Sequence, residues 1–155
     1  MGAEPSREAL LRPPRVAVDA LGGDHGPQVV IAGALAACRE LGLQVRLVGP
    51  RAAVTEELRR AGGPQTGMDV VDAPDAVGMA EPVTRATLKK RSSIQVALEL
   101  VRDGGADAFF SAGNTAACWT IAKLTLGTLE DVDRPALSAV MRLDRVKSCS
   151  TETTT

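Results

Sequence analysis

Three stretches of this 155-residue chain combine residue types that handle anions. The first is Ser111-Ala112-Gly113-Asn114-Thr115-Ala116-Ala117, which follows the apolar run Ala108-Phe109-Phe110 and precedes Trp119-Thr120-Ile121-Ala122-Lys123-Leu124. The order is that of a buried strand, a turn and a helix. Small residues in such a turn let backbone N–H groups approach a ligand closely. Asn114 tolerates the tight geometry, and Thr115 is placed to cap a helix whose positive end faces the anion. The same seven residues serve equally as an ordinary turn with a polar cap.

The second stretch is Lys89-Lys90-Arg91-Ser92-Ser93. From Pro82 to Leu98, Arg85, Lys89, Lys90 and Arg91 stand without an acidic residue among them. Cations beside hydroxyls and a helix start suit phosphate, a phosphorylated ligand or an acidic protein surface, and a solvated basic loop is the plain alternative. The third stretch, Asp19-Ala20-Leu21-Gly22-Gly23-Asp24-His25-Gly26-Pro27, is turn chemistry. Asp19 and Asp24 flank it, able to orient a ligand or a metal, and Asp24 serves equally as a helix cap. His25 is the only histidine; in a Gly-rich turn it reads as a local hydrogen-bonding residue more than as a general base. Cys118, inside an apolar helical segment, reads as a buried thiol.

The elements that must position these residues follow from periodicity. Val16 to Ala20 favours a strand, and Val30, Gly33, Ala34, Ala37 and Leu41 then recur at helical spacing, with Pro27 in the first turn and Gly42 just past the end. Val45 to Val48 is a second strand, followed by a helix carrying Val54, Leu58 and Ala61 on one face and stopped at Gly62-Gly63-Pro64. Met68 to Val71 is a third. From Asp72 to about Arg91 periodicity is lost, which marks a long loop with room for a helical turn. Ser92-Ser93-Ile94-Gln95 has the form of a capping box, and Ile94, Ala97, Leu98 and Val101 make an apolar stripe. Ala108 to Phe110 is the fourth strand and Ala136 to Met141, behind Asp133-Arg134-Pro135, a fifth.

Strands alternating with helices imply right-handed crossovers and a mainly parallel sheet covered on both faces, so the expected class is a three-layer α/β/α, Rossmann-like domain. Residues 1–14 read as a disordered lead-in, 15–142 as the domain and 143–155 as a divergent polar tail. The core must be built mostly from Ala, Val, Leu and Ile, because 45% of residues are hydrophobic but only 2% aromatic, with Phe109, Phe110 and Trp119 as its bulky rings. Eighteen Lys and Arg against nineteen Asp and Glu give a formal charge of −1. That argues against wholesale nucleic-acid binding or a polybasic membrane surface. Cys38, Cys118 and Cys149 are too scattered for a disulfide framework or a zinc site, and a reducing cytoplasm fits them. No uncharged run is long enough for a spanning helix. Neither a G-x-G-x-x-G behind a strand nor a P-loop is present, which weighs against a nucleotide-binding module.

Four blocks carry a family resemblance. They are Asp19 to Pro27, Glu81-Pro82 leading to Lys89-Lys90-Arg91-Ser92-Ser93, Ala106-Asp107-Ala108 through Ser111-Ala112-Gly113-Asn114-Thr115, and Asp133-Arg134-Pro135-Ala136-Leu137. In order and spacing over residues 15 to about 141 they resemble the signature blocks of the PlsX-type phosphate acyltransferases. The resemblance implies a cytoplasmic bacterial enzyme of phospholipid synthesis, usually a homodimer, that moves a fatty acyl group from acyl carrier protein to inorganic phosphate and needs no cofactor or metal. It leaves peripheral membrane association open. It further implies that Lys90 and Asn114 are catalytic. Asp19, Gly22, Gly23, Asp24, Lys89, Ser92, Ser93, Ser111, Ala112, Gly113 and Thr115 would bind substrate.

The pattern departs from the family at three places. Thr87-Leu88 stands where basic residues usually precede the Lys pair, Ala116-Ala117-Cys118 where Gly-Ala-Leu usually follows Asn-Thr, and from Leu143 onward no likeness is left. The last departure suggests a truncated form of the fold with impaired catalysis and exposed sheet edges, for which a non-catalytic fragment is the alternative.

Overall fold

The computed structural model of the chain describes residues 12–132. Four strands, β1 (Arg15–Asp19), β2 (Gln44–Gly49), β3 (Met68–Asp72) and β4 (Ala108–Phe110), form one sheet in the order β3-β2-β1-β4. Every pairing is parallel, with Ala17 opposite Arg46 on one edge of β1 and opposite Phe109 on the other. Five helices accompany them among the described residues: α1 (Gly26–Leu41), α2 (Arg51–Arg60), α3 (Arg85–Lys89), α4 (Ser93–Arg102) and α5 (Thr115–Leu126).

The pleat sorts the core into two sides. Val18, Val45 and Leu47 face α1 and α2, packing with Ile31, Leu35, Val54 and Leu58. Ala17 and Val48 face the opposite way, packing with Val96, Ala97 and Ala106 around α4. α5 joins that second side, where Ala117 and Ile121 meet Ile94, Leu98 and Phe109. Helices on both faces of a parallel sheet make the three layers that the alternating pattern predicts, because each right-handed crossover leaves its helix on the face set by the direction of travel. The steps from β1 to β2 and β2 to β3 go one way. The step from β3 to β4 goes the other.

Local sequence signals explain most boundaries. Pro27 lies in the first turn of α1, and Gly42 ends that helix at φ 64°, a conformation glycine adopts freely. Neither Asp24 nor any other side chain caps α1; His25 occupies the cap position without a side-chain bond. On α4, Ser92 accepts the Gln95 amide at 3.3 Å. Only half of the expected capping box forms, since the Gln95 side chain turns to Glu99 instead. The helical turn in the long loop is α3, and it carries the reciprocal box, with Thr84 and Thr87 each accepting the other's amide.

Several expectations are corrected by tertiary position. Of the α1 run, Ala34 is buried with Ile31 and Leu35 and Val30 packs against that core, but Gly33 is exposed and Leu41 is 70% exposed. Ala61 lies past the end of α2 and is exposed. Among the described residues β4 pairs with β1 alone, and Phe110 is 54% exposed. Trp119 is only half-buried, with Lys123 over its ring. The lead-in is tied down from Arg12, which with Arg15 grips the Asp107 carboxylate, while the Pro14 carbonyl accepts the Gln44 amide. Those two arginines hold Asp107 well below the usual carboxylate range. The expected fifth strand, the turn before it and the polar tail lie outside the described residues.

Leu47 is fully enclosed between β1, β3 and the α1–α2 layer. Leu47→Ala is expected to lower unfolding free energy by about 2–5 kcal/mol in a urea titration, because the deleted atoms leave a cavity that a parallel sheet cannot close.

Candidate functional site

β1 and β4 are neighbours whose chains leave their carboxyl ends in opposite directions. Such a reversal opens a crevice at the edge of a parallel sheet. A side-chain bridge spans it: the Ser111 hydroxyl donates to Asp19 Oδ2 at 2.7 Å and itself accepts the Gly113 amide at 3.0 Å. Asp19 is 2% exposed, and its other oxygen accepts the Leu21 amide at 3.2 Å. Glycine is required where the two turns touch. A Cβ on Gly22 would stand 2.7 Å from Asp19 Oδ2 and 2.9 Å from the Gly113 nitrogen. Gly23 holds φ +102° with Ala112 packed against it. The structure therefore brings together Asp19, Gly22, Gly23, Ser111, Ala112 and Gly113, and Asp24 lines the small open pocket beside them with His25 and Gly26.

Asn114, not Thr115, caps α5. Its Oδ1 accepts the Ala117 amide at 3.0 Å, and Thr115 is exposed in the first turn. The Asn114 amide group donates to three carbonyls of the long loop, Gly78 at 3.1 Å, Met79 at 3.1 Å and Glu81 at 2.9 Å. With two N–H groups for three carbonyls, these bonds are shared, and they clasp the loop onto the start of α5.

Glu81 is the other half of that clasp. Its carboxylate accepts Lys90 Nζ at 2.7 and 2.9 Å and the Gly78 amide at 3.2 Å. The cationic stretch is thus not wholly uncompensated, because its counter-charge comes from one residue before Pro82. Hydrogen bonding from Lys90, then from the Gly78 amide, lowers the Glu81 pKa. Lys90 and Asn114 meet through this single residue, one on its side chain and one on its carbonyl.

Ser92 and Ser93 are fully buried. Ser92 caps α4, and the Ser93 amide donates to the Asp75 carbonyl at 3.0 Å, so in this conformation the pair anchors the loop and presents no surface to a ligand. Arg85, Lys89 and Arg91 are exposed and make no ion pair among the described residues. Cys118 is half-buried, and desolvation raises its thiol pKa. Glu81 and the Thr84–Thr87 box are the residues that a search for anion binders passes over. Thr-x-x-Thr was the available signal for the box, whereas nothing local marks Glu81 as a hub.

A parallel sheet with helices on both faces and a reversal of strand order at β1 places the domain in the doubly wound α/β class. Residues 14–147 match the family described as fatty acid synthesis protein, and the chain belongs to that family. It is 44% identical over 127 residues to a phosphate acyltransferase of Gloeobacter violaceus, an alignment covering 82% of this chain and 37% of that protein. It is 45% identical over 131 residues to the phosphate acyltransferase of Nitratidesulfovibrio vulgaris, covering 84% and 38%. The chain thus spans well under half the length of these relatives.

Gly22→Ala forces its methyl against Asp19 and the Gly113 backbone. A stability loss of about 1–3 kcal/mol is expected by chemical denaturation, as for other overpacked sites. Because the folded Glu81 pKa is lowered, its contribution is present above the unfolded value of about 4.3 and fades as pH falls below it. The protection factor of the Gly78 amide, its exchange rate relative to the intrinsic rate at the same pH, is expected to fall over that window, and Glu81→Gln to remove that change.

Proposed function

We propose that this chain forms the phosphate-binding part of a phosphate acyltransferase, which transfers a fatty acyl group from acyl carrier protein to inorganic phosphate and releases acyl phosphate. The observation that carries the reading is the Asp19–Ser111 bridge at the reversal of strand order, with Lys90 and Asn114 drawn to the same edge by the loop at Glu81. Phosphate is itself the nucleophile in such a reaction. The protein must hold that anion, place the thioester carbonyl next to it and donate hydrogen bonds to the oxyanion that forms. Amides of the Gly23–Gly26 turn and of Ala112 and the ammonium of Lys90 suit those tasks. No side-chain nucleophile is demanded, in keeping with a solitary His25 and a Cys118 whose pKa is raised.

In this reading Lys90 exchanges Glu81 for phosphate when substrate arrives, and Asn114 positions the loop that carries both. The exposed Arg85, Lys89 and Arg91 offer a cationic rim to the acidic surface of acyl carrier protein. A second copy of the chain is the expected partner in a dimer, and the cytoplasm the expected compartment. No helix among the described residues is long and apolar enough to cross a membrane.

The test is incubation of the full chain with acyl carrier protein thioester and inorganic phosphate, scored for acyl phosphate. Formation is expected, with Lys90→Ala lowering the rate by about 100-fold or more, the scale of a lost transition-state donor. Asn114→Ala is expected to slow it too while also destabilising α5 by about 1 kcal/mol through loss of the cap. Unchanged rates in both variants would overturn the assignment, and nucleotide binding without acyl phosphate would replace it with a binding module.

A further inference from the structure

Glu81 is held at both its backbone and its side chain. Its amide donates to the Gly78 carbonyl at 3.0 Å, and its own carbonyl accepts the Asn114 side chain at 2.9 Å. Its carboxylate Oε2 accepts the Gly78 amide at 3.2 Å, and the Thr87 hydroxyl lies 3.2 Å from Oε1. Lys90 is held by much less. Among the described residues its ammonium bonds to Glu81 alone, at 2.7 and 2.9 Å, from the end of a flexible four-carbon stem.

The pair is also within reach of solutes, with 36% of the Lys90 side chain and 26% of the Glu81 side chain exposed. An arriving anion can draw the ammonium toward itself while the Gly78 amide, Asn114 and Thr87 keep the carboxylate in place. The anion then meets a donor and an acceptor side by side. Hydrogen bonding from Lys90 and the Gly78 amide lowers the Glu81 pKa, so near neutral pH this acceptor is an ionised carboxylate with no proton to give.

We infer that Glu81 sets the anion specificity of the site, accepting the O–H of hydrogen phosphate while Lys90 donates to its other oxygens, and thereby excluding sulfate; the inference rests on the phosphate acyltransferase reading above. The two anions are close in size and shape, and backbone amides with a single ammonium bind either. They differ in their protons. Inorganic phosphate near neutral pH keeps at least one O–H, which the carboxylate accepts in a charge-assisted bond. Sulfate has none, so the same carboxylate faces a bare oxyanion and repels it. An ordinary structural ion pair would hold the loop and treat the two anions alike.

Amide NMR titrations of the full chain with sodium phosphate and with sodium sulfate, at matched ionic strength near neutral pH, give the two dissociation constants without turnover. Phosphate is expected to shift the Gly78 amide and to bind about tenfold or more tightly than sulfate, the scale of one charge-assisted hydrogen bond. Glu81→Gln keeps the shape, removes the charge and adds an N–H donor. It is expected to weaken phosphate and strengthen sulfate, bringing the two within about twofold of each other. Glu81→Asp retains the carboxylate and is expected to retain a preference for phosphate. Lys90→Ala is expected to weaken both anions in parallel.

A wild-type chain that binds the two anions equally overturns the inference, as does phosphate binding that leaves the Gly78 amide unmoved. Loss of both anions by the same factor in Glu81→Gln makes Glu81 a structural prop of the loop and overturns it too, as does an unchanged ratio. In each of these cases bound phosphate leaves the acyltransferase reading standing. If neither anion shifts any amide of the wild-type chain, both the inference and that reading fall.

Discussion

Strand β1 is hydrogen-bonded along both edges, to β2 on one side and to β4 on the other, and the organisation of the site depends on that placement. Parallel pairing demands a crossover at every step, and crossovers of one hand must put their helices on opposite faces when they travel in opposite directions. β1 is where the direction reverses. Two turns that are 92 residues apart in sequence thereby become neighbours, close enough for Ser111 to reach Asp19. The polar crevice is a consequence of that topological fact.

Holding a long irregular loop beside such a crevice costs conformational entropy and exposes backbone polar groups. The chain meets both demands with few residues. Asn114 takes the carbonyls of Gly78, Met79 and Glu81, and the Glu81 side chain takes Lys90 and the Gly78 amide. Asp75 and Ser92 fasten the far end through a parallel bridge. No buried side-chain nitrogen or oxygen among the described residues lacks a partner, so the clasp is complete in itself. A loop fixed in this way presents Lys89 and Arg91 outward while keeping Lys90 against the Glu81 carboxylate.

The glycines at the crevice act by subtraction. Gly22 and Gly113 sit where the two turns meet, and any side chain would occupy the space that Asp19 and Ser111 use for their bond. The two turns can then approach backbone to backbone, with their amides turned to Ser111 and Asp19.

Much was legible in the chain itself, because period and turn chemistry are local. The alternation of strands and helices, the stop at Gly42 and the cap at Ser92 all follow from neighbours a few residues apart, and so does the α/β class. What the sequence could not disclose depends on partners distant along the chain. Leu41 continues the helical spacing of α1 yet is 70% exposed. Phe109-Phe110 has the apolarity of a buried strand, yet among the described residues β4 pairs on one edge alone and Phe110 is exposed. Ser92 and Ser93 carry ligand-binding chemistry but are enclosed by the loop that folds over them. Lys90 seemed free of counter-charge until Glu81 was folded back upon it. Residue type and spacing determined which elements form and which groups are available; tertiary structure decided which of those groups meet and which remain open, because burial and charge pairing are set by contacts that no local window contains.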